Sequence, residues 1–149
     1  LLEQSHNLGS TILRKSEKMP DGDCPFCSLP RSRINDENEH GLLICDGFPV
    51  SPGHSLVIPK RHVLSFFDTS EDERSDLFRL LDAAKHIISK ELNPDGYNVG
   101  INDGAAAGQT VPHLHIHLIP RYFGDLPDPR GGVRWVIPGK ADYWSKREA

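Results

Sequence analysis

The sequence has no excess of positive charge, few cysteines and no long apolar run, and each absence removes a class of function. With 17 Lys and Arg against 21 Asp and Glu, the net charge is −4 with histidine neutral. A protein that wraps a long nucleic acid needs a basic face, and this composition does not supply one. A small phosphate ligand stays open, because a local pocket can be positive on an acidic protein. The cysteines are Cys24, Cys27 and Cys45, an odd and small number that makes no secreted disulfide framework. A reducing cytoplasm is the simpler expectation. No stretch approaches the roughly 20 apolar residues of a membrane-spanning helix, so no membrane partner is expected. The opening Leu-Leu-Glu-Gln-Ser-His shows no basic flank leading into an apolar run, so no signal peptide is expected there. The chain of 149 residues, 37% hydrophobic and 26% charged, reads as a single domain over 1–149 that can bury a core without covalent staples.

Residues 1–20 are mixed and polar, with a short helix expected over 10–18. Asp21-Gly22-Asp23 breaks the chain before Cys24-Pro25-Phe26-Cys27, and residues 30–40 read as charged loop with a turn of helix near Ser32–Asn35. Gly41–Cys45 and Ser55–Pro59 are short apolar runs divided by the turn residues Asp46-Gly47-Phe48-Pro49, which predicts an antiparallel pair. Thr69–Leu92 is the clearest helix. Ser70 or Thr69 can cap it, Glu71, Asp72 and Glu73 suit the positive end of its dipole, and Leu77, Leu80, Leu81, Ala84, Ile87 and Ile88 follow helical spacing. Asn93-Pro94-Asp95-Gly96 stops it. Tyr97–Ile101 and His113–Pro120 read as strands, separated by the small-residue loop 102–108. Residues 122–149 read as an ordered, irregular tail. No strand–helix–strand alternation is present, so the expected class is α+β: an antiparallel sheet with one long helix.

His113, His115 and His117 alternate with Leu114, Ile116 and Leu118. Alternate residues of a strand share a face, so three imidazoles line one side, spaced roughly 7 Å along the strand, while aliphatic residues line the other. Imidazole rows serve metal binding or acid–base and nucleophilic chemistry near neutral pH. The preceding loop, Asn102 to Val111, offers small residues, a hydroxyl and two amides, so backbone N–H groups can approach an anion closely. An anion cradle beside a nucleophile row points to phosphorus chemistry. The pair Cys24-x-x-Cys27 leaves three readings open: a redox pair, two buried structural thiols, or half of a tetrahedral zinc site. The redox reading is disfavoured because no strand precedes the pair.

Gly108-Gln109-Thr110-Val111-Pro112-His113-Leu114-His115-Ile116-His117-Leu118-Ile119-Pro120-Arg121 resembles the signature of the histidine triad (HIT) family. Pro52-Gly53-His54 through Lys60-Arg61-His62 resembles its second motif, and Cys24-Pro25-Phe26-Cys27 resembles the start of many bacterial, zinc-containing members. The resemblance covers about residues 24–121. It implies a HIT-like fold and catalysis by His115 as nucleophile, with His117 and His54 beside the phosphates. Asn102, Gly108, Gln109 and Thr110 then match the phosphate-binding loop, and Asp46 the position that holds the ribose. Phe26, Leu29 and Ile44 match the lining of the base pocket, although all three also suit an ordinary core. The same resemblance implies a structural zinc on Cys24, Cys27, His62 and His113, and a homodimer. The reaction implied is cleavage at a nucleotide α-phosphate through a nucleotidyl-histidine. Gln109-Thr110-Val111 leans toward dinucleoside polyphosphate hydrolases of the fragile histidine triad group. A nucleoside phosphoramidase, a dinucleoside polyphosphate phosphorylase and a non-catalytic nucleotide-binding module are the alternatives.

Overall fold

The computed structural model describes residues 23–145; the helix expected over 10–18 lies outside them. Five strands form one antiparallel sheet: β1 (Ile34–Glu37), β2 (Gly41–Cys45), β3 (Ser55–Pro59), β4 (Gly96–Gly100) and β5 (Ile116–Arg121), in the spatial order β1-β2-β3-β5-β4. The long helix α1 (Glu71–Leu92) runs between β3 and β4 in the chain, and a short helix α2 (Pro138–Ala141) lies in the tail. This is the α+β architecture that the sequence predicts.

Period-two alternation divides the sheet into two faces. Leu43, Val57, Leu114, Ile116 and Leu118 turn to one face and pack with Leu77, Leu80, Ala84 and Ile88 of α1. Ile44, Leu56 and Ile58 turn to the other and pack with Phe26, Leu29 and Ile34. Strand β3 is buried at all five positions, as the centre of the sheet must be. Helix α1 sits close against β2 at Gly41, where a Cβ would lie 2.7 Å from Leu80 Cδ1. Ile87, which its spacing assigns to the apolar face, is 42% exposed and lies off the contact stripe.

The start of α1 resolves the choice between Thr69 and Ser70. Ser70 is the N-cap: its Oγ accepts from Glu73 N–H at 3.1 Å, and the Glu73 carboxylate accepts from Ser70 N–H at 2.8 Å. Arg61 adds a two-pronged pair to the same carboxylate at 2.7 and 2.9 Å and holds Glu73 down at a pKa of about 2. Asn93, with φ 45°, ends the helix in the left-handed conformation. Replacing Ser70 with alanine is expected to cost about 1 kcal/mol, read as a fall of a few degrees in thermal midpoint by calorimetry; an unchanged midpoint would mean that the Arg61–Glu73 pair alone fixes this end.

Two expectations need correction. Residues 34–37 are a strand and not loop. Ile-Asn-Asp-Glu carries one aliphatic residue and forms a short edge strand with a register irregularity between Ile34 and Asp36, stitched to β2 by Asn35 Oδ1 accepting from Cys45 N–H at 3.0 Å. The ladder of β5 begins at Ile116 and not at His113. His113 and Leu114 bond outside the ladder, His113 N–H to Val111 O at 2.8 Å and Leu114 N–H to Val63 O at 2.7 Å. The tail is ordered largely by its own contacts. Arg130 lies 4.7 Å over the Trp144 ring and Arg134 4.9 Å over Tyr143, and Ala141 is fully buried.

Candidate functional site

The face of β5 opposite α1 carries His117, with His115 and His113 just before the strand. The ring centroids of His115 and His117 are 5.0 Å apart, closer than the strand repeat because the rings tilt toward each other. Hydrogen bonds fix the tautomer of each imidazole. His115 Nδ1 donates to the backbone carbonyl of His113 at 2.9 Å, so its proton sits on Nδ1 and Nε2 carries the lone pair. His54 Nδ1 accepts from Val50 N–H at 3.2 Å, so its proton sits on Nε2. That nitrogen lies 3.0 Å from His117 Nδ1 and 3.3 Å from Asp46 Oδ2. His117 Nδ1 therefore carries no proton, and Nε2–H is the donor on its free side. Burial holds His54 and His117 below the usual imidazole range; Asp46 opposes this in both, and the neighbouring histidines reinforce it at His117. Both are neutral near pH 7.

Two cavities meet at His117. One, about 460 Å³, is walled by Phe26, Leu29, Ile44, Leu56, Asp46 and Thr110, and reaches His115. The other, about 420 Å³, places His54, Asn102 and His117 against residues of the tail. Asn102 and Thr110 thus approach His117 from different sides. Gly104 and Gly108 take φ of +88° and +89°, which glycine adopts without strain, and they frame the short 3-10 turn Ala105–Ala107. Gln109 does not line either cavity. Its Oε1 accepts from Gly104 N–H at 2.8 Å and its Nε2 donates to Leu64 O at 2.9 Å, so the amide braces the loop. Asp103 does the same, accepting from Ser65 Oγ and Phe66 N–H at 3.0 and 2.8 Å.

A second cluster adjoins the first through His113. Its Nε2 donates to Pro59 O at 2.9 Å, which leaves Nδ1 as a lone pair directed at two thiols, 3.4 Å from Cys24 Sγ and 3.5 Å from Cys27 Sγ. His62 Nδ1 is 3.2 Å from Cys27 Sγ, and the four ligand atoms all lie within 4.8 Å of one another. A tetrahedral zinc with ordinary Zn–S and Zn–N lengths sets sulfur–nitrogen separations of roughly 3.5 Å. The donor set, the spacing and the carbonyl on the far nitrogen of His113 all fit that ion.

The tail stands at the second cavity through Gly132, Val133 and Val136; the sequence alone leaves two readings of Arg130 to Trp135, one that shapes the far end of a substrate and one that packs against the body or a partner. The contact of Asp46 with His54, made between the two ends of the loop 46–54, carries no signal in the sequence.

The HIT domain family profile matches residues 31–124. An uncharacterized HIT-like protein of Mycoplasma genitalium is 38% identical over 110 residues, 71% of this chain and 78% of that protein. Bis(5′-adenosyl)-triphosphatase of Saccharomyces cerevisiae is 41% identical over 101 residues, 64% of this chain and 44% of the yeast enzyme. The crystal structure of a zinc-bound histidine triad family protein from Mycobacterium smegmatis superposes with a TM-score of 0.64 at 34% identity, covering 82% of this chain and 96% of that one.

Proposed function

This chain belongs to the HIT domain family, and from that premise we propose that it is a nucleotide hydrolase or transferase that cleaves at the α-phosphate through a nucleotidyl-His115 intermediate. The observation that carries the reading is the hydrogen bond from His115 Nδ1 to the His113 carbonyl, which leaves an unprotonated Nε2 beside the cavity walled by Asp46 and Thr110. In the first step the Nε2 lone pair forms a bond to the α-phosphorus, and the bond to the leaving group breaks. His117 Nε2–H donates a hydrogen bond to the leaving atom, which departs with the bonding pair and takes any proton it needs from water. In the second step water attacks the same phosphorus, the nitrogen–phosphorus bond breaks, and the attacking water's proton passes to solvent. Asn102, Thr110 and the Gly108 backbone hold the equatorial oxygens as charge shifts. His54 keeps the proton of His117 on the side that faces the substrate.

Cys24, Cys27, His62 and His113 would hold a zinc ion whose chemistry is structural, since four protein ligands close its shell. A reducing cytoplasm suits the two thiols, and a homodimer belongs to the same reading. The chain's resemblance to the yeast triphosphatase supports a dinucleoside polyphosphate as substrate. The bracing role of Gln109 weakens one reason for that choice and keeps phosphoramidates in view.

A substrate panel tests the reading: adenosine phosphoramidates and diadenosine tri- and tetraphosphate, with and without added inorganic phosphate. Release of AMP from any of them in the absence of phosphate is the expected result. No nucleotide product under any condition would leave a binding module. Asp46 carries a narrower test. If its carboxylate receives the ribose hydroxyls, Asp46→Ala should weaken AMP binding about tenfold or more, the scale of hydrogen bonds to a charged group, while inorganic phosphate binding changes little. Equal losses for the two ligands in calorimetric titration would remove Asp46 from that role.

A further inference from the structure

The cavity of about 420 Å³ on the far side of His117 is not built by the histidine signature alone. Its floor is His117, His54 and Asn102, and one wall is Gly132, Val133 and Val136, all beyond the part of the chain that the family profile matches. Val50, Ile101 and Ile119 complete the lining with aliphatic surface, and among the described residues that line it there is no lysine or arginine. The two arginines of the described tail that flank the segment are engaged elsewhere: Arg130 with Asp128 and the Trp144 ring, Arg134 with the carbonyls of Lys140 and Ala141. Arg121, at the neighbouring strand end, is paired with Asp125 at 2.6 Å. A site that receives a chain of bare phosphates places cations or helix N-termini around it. This one offers valine, isoleucine and neutral amides.

We propose that the tail segment Gly132–Val136 forms the leaving-group pocket, and that it selects substrates whose leaving group carries an uncharged apolar moiety. The inference rests on the reaction proposed above and names the residues that set its specificity. The cavity holding Asp46 and Thr110 takes the nucleoside, so the group departing from the α-phosphorus points across His117 into the second cavity. There His117 Nε2–H can donate a hydrogen bond to it, while Val133 and Val136 remove its apolar part from water. The segment is held in place without them. Gly131 and Gly132 take φ of +92° and +48°, and Trp135 Nε1 donates to Arg130 O at 2.8 Å. Val133 and Val136 are 62% and 78% exposed, the state of a wall waiting for contact and not of a packed core.

The apolar moiety has two chemical sources, the amine of an N-substituted phosphoramidate or the second nucleoside of a dinucleoside polyphosphate. The test uses Val133→Ser/Val136→Ser and three probes: unsubstituted adenosine 5′-phosphoramidate, its N-benzyl derivative, and diadenosine triphosphate. The ratio of kcat/KM for the N-benzyl to the unsubstituted compound should fall about tenfold, the scale of losing a few methyl contacts in a pocket. A parallel fall for diadenosine triphosphate assigns the second nucleoside to the same pocket; a fall for the benzyl compound alone assigns the amine. Ratios that stay at the wild-type value for both compounds overturn the proposal. Kd values on His115→Ala protein carry the same comparison without turnover. A wild-type enzyme that hydrolyses nothing would sink the reaction, and the Kd ratios would still decide the pocket.

Discussion

His115→Ala is expected to lower turnover by about 10⁶-fold, the loss seen when a protease nucleophile is removed, while the protein still folds and binds AMP. All three imidazoles lie close together, so proximity does not single out the nucleophile; the tautomers do. The His113 ring has its Nε2 on Pro59 O and its Nδ1 against two thiols. The Nδ1 of His117 faces His54, and its Nε2 carries the proton. Of the three, only His115 holds a backbone carbonyl through Nδ1 while lining the cavity of Asp46 and Thr110. Its ring touches Phe26 and His117, on the face away from α1, so truncation leaves the helix-side core intact. The bond that the proposed reaction forms on His115 is a phosphoramidate, labile in acid and more durable in base. Rapid quench with α-labelled substrate should trap acid-labile label on the wild type and none on the variant. Label that persists on His115→Ala, or turnover near wild type, would refute the assignment.

Opening the thiol–imidazole cluster should produce the largest change in stability. Cys24 is 1% exposed and His113 is fully buried. Cys24→Ala is expected to take bound zinc from one per chain to none and to lower stability by about 3–5 kcal/mol. This is a fraction of the roughly 10–16 kcal/mol that zinc is worth where it supports the whole fold, because here a separate core on α1 remains. The thermal midpoint should drop by roughly 10 °C or more, and chelation of the wild type should reproduce the shift. Turnover should fall as well, since the residue that closes the cluster with its ring also supplies the carbonyl on which His115 rests. Wild-type protein purified without chelator that contains no zinc, or a disulfide between Cys24 and Cys27, would contradict this.

The parts of the fold that can be read from the sequence are those specified locally. Helix α1 carries a capping box, acidic residues in its first turn and an aliphatic stripe, and its range matches the expectation within two residues. Strands β2 and β3 are short aliphatic runs on either side of turn residues. Strand β1 is not readable, because an edge strand paired on one side can be polar and Asn35 supplies part of its pairing by side chain. The onset of β5 is misplaced for a related reason: His113 belongs to the alternation, but its backbone bonds to Val111. At the site, residue types were readable and partnerships were not. Cys24, Cys27, His62 and His113 come together across 89 residues of chain, and only the family resemblance chose those two histidines over His40 or His54. His40 instead pairs with Asp76 at 2.7 Å. Gln109 shows the limit of motif reading, since a residue within the signature can support the loop and leave both cavities to its neighbours.

The two-faced alternation of β5 determines which kinds of sequence change the site can absorb. Leu114, Ile116 and Leu118 answer to the volume left by α1, where exchanges among aliphatic residues of similar size cost little. His115 and His117 answer to hydrogen-bonding geometry, and no other residue type reproduces it. Both sets share one frame, set by the pairing of Leu56 with His117 and Val57 with Ile116. Inserting or deleting a single residue after His113 would reverse every side chain beyond it, driving the imidazoles against Leu77 and Leu80 and presenting isoleucine and leucine to the two cavities. A two-residue change would restore the faces but would carry His117 away from His54. The helix-facing positions of this stretch therefore accept exchange among aliphatic residues of similar size, while its length is fixed by the register of both faces.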